Sequence, residues 1–531
     1  MRFWTAAILI VLTAIQPAAA QESFTLCGVV DVIDYPIDGL VEGYDDFGLF
    51  RARFGGNHVG VDIGFERWGD PVAAAARGRV TYADPEGWDT EKGVVILEHA
   101  FPDGSTAYTL YGHMEQSDTV TFPRLGDCVE RGQVVGTIGW PSRGLPHLHY
   151  EVRTFLPNDG GPGYVAGSPL DSGWYNPFDF TALWRLRLAP GFVESATFHT
   201  VPTVPPALLD TGVYAVASGS LIAGTLPDGA VLWRVETSGA VTGLAALPGG
   251  RVVARTHSGQ TITLENGRYM AVWDVPGPDT PLITLGETLV IASAGGGLAA
   301  YDPLGTPLWT VPGPAADVIA VELTAGGDQA LALARTSGGV LTRVVQADGT
   351  VAFEATYADT VAAAPDRSGG WLLLDGPQVK RIAGGANHNI STLAPPPGRA
   401  GRLTVDVLGN TYIYARGDGG TLLSVDASGG VRWRIPYEAS GALAPLLATG
   451  SGCLLYALDS NGTLNVFDTA SGGLLRQAQL YAGGRRSGSP AARLLTVDAN
   501  ERVRAAAGYL SVVTLDGWAL GGDAAANCRL G

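Results

Sequence analysis

The C-terminal part of the chain repeats a turn followed by a strand, and this repeat constrains the fold more than any other feature. In each unit an Asp-Gly or Asn-Gly pair, or an aspartate with a glycine close behind it, precedes an apolar strand. These residues favour tight hairpin turns because they readily accept a positive φ. The strands are marked, at intervals of 40, 36, 44 and 80 residues, by Trp233, Trp273, Trp309, Phe353 and Trp433.

A repeat of about 40 residues with several strands in each unit predicts a β-propeller. The 80-residue interval holds a weaker unit near Gly384–Gly385, and another unit near Asp516–Gly517 ends the series. Residues 208–531 divide into about eight blades at this period and about seven at a longer one. A solenoid is the alternative, but the segment lacks the helical periodicity to build one. We therefore expect an all-β fold in which the tryptophans pack between blades.

These strands resemble the pyrroloquinoline-quinone-type β-propeller repeat over residues 208–531. The resemblance is carried by strands that run from a glycine to a tryptophan, namely Gly229 to Trp233, Gly305 to Trp309 and Gly430 to Trp433. It implies the fold and not the quinone cofactor. A quinone-dependent oxidoreductase would need a cofactor pocket, and no residues can be assigned to one. His257 and His388 are expected to be surface or hydrogen-bonded core residues.

Composition and the N-terminal segment bear on partners and location. The 531 residues include 34 Lys or Arg and 51 Asp or Glu, a formal charge of −17. Nucleic-acid binding needs a basic face, so we expect no nucleic-acid partner.

The first residues are typical of a signal peptide: Arg2 is followed by an apolar run to Ile15 and by three alanines before Gln21. We expect cleavage before Gln21, export to the periplasm or the exterior, and no transmembrane segment in the mature chain.

Three segments of the N-terminal third combine histidines with an aspartate. If residues 55–64 form one strand, His58 and Asp62 share a face, and the small Gly60 between them leaves room for a metal. The same alternation puts His147 and His149 on one face of a second strand, and His113 lies between the two segments in sequence. Imidazoles with one carboxylate match a catalytic zinc site, although the same donors can hold iron(II). Two additional histidines beside the metal favour hydrolysis.

Residues 55–153 resemble the lysostaphin-type zinc metalloendopeptidases, exported enzymes that cut peptide bonds in bacterial peptidoglycan. The matching motifs, in order, are His58-x-x-x-Asp62, Tyr111-Gly112-His113 and His147-Leu148-His149. The resemblance implies one Zn²⁺ held by His58, Asp62 and His149. It also implies that His113 and His147 are catalytic, orienting and deprotonating water and stabilising the oxyanion.

One loop departs from the family pattern. Arg143-Gly144-Leu145-Pro146 stands where Ser-Thr-Gly-Pro is common, which leaves the substrate preference open. His99 matches a strand-end position of the family, and we expect it to be structural.

The boundaries follow from these assignments. We predict a signal peptide at 1–20, a zinc metallopeptidase domain at 21–200, a Pro-rich linker at 201–207 and a β-propeller at 208–531. Four cysteines allow three pairings, and this division favours Cys27–Cys128 and Cys453–Cys528. Free buried thiols are the alternative.

We predict an exported zinc metalloendopeptidase that hydrolyses peptide cross-links of peptidoglycan. The propeller would be a binding or positioning module, for which an envelope protein is a candidate partner. The alternative is a non-catalytic cell-wall-binding or regulatory protein of the same family. Such members have typically lost metal ligands, whereas all five site positions are filled here.

Overall fold

The computed structural model describes most of the chain in two compact units, Met1–Thr181 and Ala182–Gly531. The described residues are 27–38, 45–156, 160–197, 202–227, 230–275, 281–314, 317–366, 369–393, 399–416, 419–480, 492–507 and 511–530. The predicted signal peptide and the predicted turn at Asp228–Gly229 lie outside these ranges. Within them, no helix is both long and apolar enough to cross a membrane.

The first unit is built almost entirely of β-strands. They are β1 Phe50–Arg51, β2 Gly56–His58, β3 Val61–Ile63, β4 Pro71–Ala73, β5 Gly78–Asp84, β6 Gly93–Ala100, β7 Thr106–Glu115, β8 Cys128–Val129, β9 Val134–Ile138, β10 Leu148–Arg153, β11 Tyr164–Val165 and β12 Trp174–Tyr175. Short 3-10 turns lie at Asp89–Glu91 and Leu170–Ser172. Helix α1, Pro177–Leu188, contains the point where the chain passes into the second unit.

A nine-stranded antiparallel sheet forms the centre of this unit. Its main path runs β12-β10-β7-β6-β5-β8, while β3 pairs with β10 and β9 pairs with β4 and β7. Both faces of the central strands are covered, since Val94 to Leu97 of β6 are fully buried and every residue of β10 is buried. The predicted Cys27–Cys128 disulfide is present. A second sheet, β1-β2-β11, carries His58 at the end of its middle strand.

The prediction of a single strand over residues 55–64 is wrong. The chain forms β2, leaves the strand conformation at Val59–Gly60, and resumes as β3 in a different sheet. A Cβ atom built on Gly60 would lie 2.5 Å from the Tyr150 carbonyl oxygen and 2.9 Å from His149 Nε2. The space beside Gly60 is therefore filled by β10, and the glycine permits that close approach rather than leaving room for a metal.

The second unit is a β-propeller, which confirms the all-β prediction. The described residues form eight four-stranded antiparallel sheets, so the count of blades is eight rather than seven. Seven blades are continuous in sequence. Their strands are β14 Ala207–Leu208, β15 Tyr214–Ser218, β16 Leu221–Thr225, β17 Val231–Glu236; β18 Val241–Leu247, β19 Arg251–Thr256, β20 Gln260–Glu265, β21 Arg268–Asp274; β22 Leu282–Leu285, β23 Thr288–Ala292, β24 Leu298–Tyr301, β25 Pro307–Val311; β26 Val318–Gly326, β27 Gln329–Thr336, β28 Gly339–Gln346, β29 Val351–Tyr357; β30 Thr360–Asp366, β31 Gly370–Asp375, β32 Gln378–Ala383, β33 Ala386–Thr392; β34 Arg399–Val405, β35 Thr411–Arg416, β36 Thr421–Val425, β37 Val431–Pro436; and β38 Leu446–Thr449, β39 Leu454–Leu458, β40 Thr463–Asp468, β41 Leu474–Gln479.

The eighth blade joins the two ends of the unit. Its strands are β42 Arg493–Val497, β43 Arg502–Ala507, β44 Ser511–Asp516 and, from the start of the unit, β13 Phe192–Thr197, which pairs antiparallel with β44. Closing a ring with strands from both termini removes the exposed sheet edges that would otherwise remain. Residues 192–197, which the sequence assigned to the first domain, thus form part of the propeller.

The tryptophans of the repeat pack against the next blade. A Cβ atom built on Gly267, Gly305 or Gly349 would lie 2.6 Å from the nearest atom of Trp233, Trp273 or Trp309, respectively. In each case the tryptophan belongs to the fourth strand of one blade, and the glycine belongs to the last turn of the following blade. The tryptophans therefore recur at the blade spacing because each makes the same contact with the next blade, as the sequence predicted.

The chain ends differently from the prediction. Where the sequence suggested a last hairpin near Asp516–Gly517, helix α2 begins at Gly517 and runs to Leu530, with a kink at Gly522. Asp516 Oδ1 accepts the Trp518 N–H at 3.0 Å, which stabilises the first turn of the helix. The predicted Cys453–Cys528 disulfide joins this helix to the propeller.

Candidate metal centre

Three strands of the first unit bring His58, Asp62 and His149 together. Asp62 of β3 lies directly opposite His149 of β10 in the antiparallel ladder, and His58 ends β2. The Nε2 atom of His58 is 2.9 Å from His149 Nδ1 and 3.3 Å from Asp62 Oδ1, and the last two atoms are 3.1 Å apart. All three residues are buried, so their ligand atoms converge in a space shielded from bulk water.

Two further carboxylates contact the ring nitrogens of His58 and His149 that face away from the cluster. His58 Nδ1 is 3.0 Å from Asp46 Oδ2, and His149 Nε2 is 2.9 Å from Glu151 Oε1. Asp46 also accepts the Asp62 N–H at 3.1 Å, and Glu151 accepts the Trp174 indole N–H at 2.9 Å. Hydrogen bonds of this kind fix the orientation of a ligating histidine and raise its basicity.

The electrostatics of the group favour a positive charge at its centre. Burial lowers the pKa of His58, but hydrogen bonds to Asp46 and Asp62 outweigh it and raise the pKa to about 10. Burial raises the pKa of Asp62, but hydrogen bonds from His149 and His58 hold it well below its usual range. A divalent cation at the centre of the group would satisfy the same donors.

His113 lies beside this group in an unusual backbone conformation. It belongs to β7 and has a φ of 58°, a region in which a non-glycine residue is uncommon. Its Nδ1 atom is 2.7 Å from the Glu91 carbonyl oxygen, so that nitrogen donates and Nε2 is left as an acceptor. Burial, together with His147 and His149, lowers the pKa of His113 to about 3. The indole of Trp88 packs edge-on against the His113 ring.

His147 completes the cluster from the loop just before β10. Its Nδ1 atom is 2.8 Å from the Leu145 carbonyl oxygen, and its Nε2 atom is 3.6 Å from Asp62 Oδ1. The rings of His113 and His147 are 4.6 Å apart between centroids. Both histidines therefore hold Nδ1 on a backbone carbonyl and have Nε2 free to accept.

Two family models match the chain. Residues 56–163 match peptidase family M23. Residues 179–380 and 378–517 match the family described as outer membrane protein assembly factor BamB. The second model covers more than half of the chain, so the chain belongs to that family, while the match to peptidase family M23 is confined to residues 56–163. M23 members are typically zinc-dependent metallopeptidases, and His58, Asp62 and His149 of the first unit are residue types that can bind zinc.

The solved structures that are similar to this chain have low sequence identity to it. BamB from Moraxella catarrhalis is 16% identical, covers 62% of this chain and 98% of its own, and has a TM-score of 0.46. Sqt1 from Saccharomyces cerevisiae is 14% identical, covers 61% and 98%, and has a TM-score of 0.47. AztD from Citrobacter koseri is 13% identical, covers 52% and 86%, and has a TM-score of 0.38. Among curated proteins, none matches the chain.

The structure of the M23 unit places all five predicted site residues in one cluster, while their roles stay predictions. His99 lies elsewhere, fully buried, with its ring nitrogens 2.8 Å from the Arg77 carbonyl oxygen and 2.7 Å from Thr109 Oγ1. Burial lowers its pKa to about 4, which suits a neutral structural residue. His257 and His388 are exposed on the propeller.

Sequence reasoning missed the supporting residues of the M23 centre. Glu151 follows His149 by two positions, so strand alternation could have placed both on one face. Asp46 lies outside any strand and reaches His58 through a loop, and no local pattern signals that contact.

Proposed function

We propose that this chain is an exported zinc metalloendopeptidase that hydrolyses peptide cross-links of bacterial peptidoglycan, with the propeller as a binding or positioning module. The observation that carries the proposal is the convergence of His58 Nε2, Asp62 Oδ1 and His149 Nδ1 at separations of 2.9 to 3.3 Å. A tetrahedral zinc with bonds near 2.0–2.2 Å keeps its ligand atoms about 3.3 Å apart. The three donors are therefore spaced to share one ion.

The donor chemistry also fits zinc. Two imidazoles and one carboxylate leave a fourth tetrahedral position open, as catalytic zinc sites require. Asp46 and Glu151 behind the two rings supply the supporting hydrogen bonds. When bound, zinc supplies Lewis-acid activation of water and of the scissile carbonyl.

The remaining work falls to His113 and His147. Each holds Nδ1 on a backbone carbonyl, so in each ring Nε2 is the nitrogen that can accept a proton. A neutral imidazole so placed can take the proton of the attacking water and return it to the leaving amine. In its protonated form the second histidine can donate a hydrogen bond to the developing oxyanion. The burial of the cluster strengthens both interactions.

Mass spectrometry of muropeptides incubated with the purified mature protein tests the proposal. New peptide termini are expected, together with about one zinc per chain by elemental analysis. A zinc-loaded protein that releases no new termini from any peptidoglycan type would instead support the non-catalytic, wall-binding alternative.

A further inference from the structure

Two tryptophans are exposed side by side next to the candidate metal centre. Trp68 is 59% exposed and Trp140 is 50% exposed, and their ring centroids lie 5.8 Å apart in an edge-to-face arrangement. We call this pair the tryptophan platform. A contiguous exposed apolar surface of this kind is uncommon on a soluble protein and marks a binding site more often than chance.

One carboxylate holds the platform in place. Glu115 Oε2 accepts the Trp68 indole N–H at 2.9 Å, and Oε1 accepts the Trp140 backbone N–H at 3.3 Å. Lys92 Nζ lies 2.8 Å from Oε1 and balances its charge. The Trp140 indole N–H donates to the Gly144 carbonyl at 3.3 Å. Since both indole N–H groups are already used, the platform offers a ligand its aromatic surface rather than hydrogen-bond donors.

The two loops that carry the platform also contact the candidate catalytic residues. Trp68 lies in the loop between β3 and β4, and Trp140 lies in the loop between β9 and β10. These loops are joined by the Glu66 N–H bonded to the Pro146 carbonyl at 2.9 Å. In the first loop, the ring of Phe65 stacks on that of His147 at 5.2 Å. The second loop also contacts the cluster directly, since the Gly139 N–H donates to the His113 carbonyl at 2.8 Å.

We propose that the tryptophan platform binds a pyranose ring of the N-acetylated amino-sugar chain to which a peptidoglycan peptide is attached. This inference deepens the proposed function and rests on it for the identity of the substrate. The C–H groups on one face of a pyranose are weakly positive and stack on the negative face of an aromatic ring. Each exposed indole offers a ring surface on which one face of a pyranose chair can stack.

Charge supports a stacking mode of recognition. The chain carries a formal charge of −17, so electrostatic attraction to a wall that bears carboxylates supplies little affinity. Stacking on a sugar needs no charge. An apolar side chain of a peptide is the alternative ligand of the platform, but such side chains normally bind in an enclosed pocket. Both tryptophans are instead half or more exposed.

Binding to the mature full chain provides the first test. Titration with N-acetylglucosamine tetrasaccharide, followed by tryptophan fluorescence and calorimetry, should show saturable binding. Trp68→Ala and Trp140→Ala should each weaken it by about tenfold, the size expected for one stacked aromatic contact. Trp68→Phe, which keeps a ring, should lose much less. Leu125→Ala, at an apolar residue 73% exposed elsewhere in the same unit, is the matched control and should bind as the parent does.

Cleavage provides the second test and separates the two proposals. The two alanine variants should lose more kcat/KM on a glycan-linked muropeptide than on the same peptide freed of its sugar, with zinc content as in the parent. Equal losses on both substrates would assign the platform to a peptide side chain and overturn the inference, as would a parent protein that does not bind the tetrasaccharide. Tetrasaccharide binding by the platform without cleavage of either substrate would support the platform and refute the peptidase proposal.

Discussion

The two units of this chain bury and use their acidic groups differently. In the first unit, Asp46, Asp62 and Glu151 come from separate segments and direct their oxygens at buried imidazoles. Each of these contacts spans a long stretch of sequence or crosses between strands, except Glu151, which lies two residues from its partner. The carboxylates therefore organise a shared centre, and removing one leaves buried polar groups without their partner.

Several acidic groups of the propeller instead accept hydrogen bonds from their own turns. Asp302 Oδ1 accepts the backbone N–H groups of Leu304 and Thr306, and Asp426 Oδ1 accepts that of Gly430. Hydrogen bonds from Thr306 lower the pKa of Asp302, and those from the Ser428 hydroxyl and the Gly430 N–H lower the pKa of Asp426, although both carboxyl groups are partly exposed. A carboxylate bound by its own turn has little capacity left for a ligand. The number of acidic residues in a unit is therefore a weaker guide to function than whether acidic side chains from different segments meet at one point.

The largest expected effect is the loss of zinc binding by the first unit. His58→Ala, Asp62→Ala and His149→Ala should each abolish zinc binding and cleavage together, because each removes one of three protein ligands. Asp302→Ala, which removes a turn carboxylate of the propeller, is the matched control and should keep about one zinc. Elemental analysis of the purified variants decides the matter. Full zinc occupancy in all three site variants would refute the ligand assignment.

The next effect separates proton transfer from metal binding. His113→Ala and His147→Ala should keep nearly full zinc content, because neither residue is a proposed ligand. Cleavage should fall about 10²–10⁴-fold, which corresponds to roughly 3–5 kcal/mol of activation barrier. Zinc analysis and muropeptide release are measured on the same preparations. If His147→Ala loses zinc while His149→Ala retains it, the two roles are exchanged.

The sequence predicted the parts of this molecule that depend on local pattern. The blade repeat was readable because Trp309 packs on Gly349, so one contact recurs at one spacing. The histidine motifs were readable because they match a family. The interruption of the strand at Gly60 could not be predicted from the sequence, since it depends on the close approach of Tyr150 from β10. The contact of Asp46 with His58 joins a loop to a strand, and no local sequence pattern predicts it.

Truncation tests where the propeller begins. A chain starting at residue 182 keeps β13, and Leu186 of α1 stays in the hydrophobic cluster with Leu454 and Tyr456. A chain starting at residue 208, the predicted boundary, loses both. We expect both chains to be β-rich and zinc-free, with the shorter one less stable by several kcal/mol, at about 1 kcal/mol for each lost ladder hydrogen bond.

Urea unfolding followed by circular dichroism measures this difference. Equal midpoints and slopes for the two chains would show that β13 contributes nothing to closure and would favour the sequence-based boundary at 208. Failure of both chains to fold would mean that the propeller needs the preceding unit.

The smallest expected effect concerns the group behind a ligand. Glu151→Gln keeps the size of the side chain and a hydrogen-bond acceptor but removes the negative charge 2.9 Å from His149 Nε2. Zinc affinity should fall about 10–100-fold, the usual cost of weakening such a supporting contact, while stoichiometry at saturating zinc stays near one. Competition with a chromophoric chelator measures the affinity directly. Glu98→Gln is the matched control, because Glu98 is a strand carboxylate of the same sheet paired with Arg79 and remote from the histidine cluster. If Glu151→Gln binds zinc as tightly as the parent and Glu98→Gln do, then His149 is oriented by its strand alone. The contrast between the shared carboxylates of the first unit and the turn carboxylates of the propeller would then be limited to the proposed ligand Asp62.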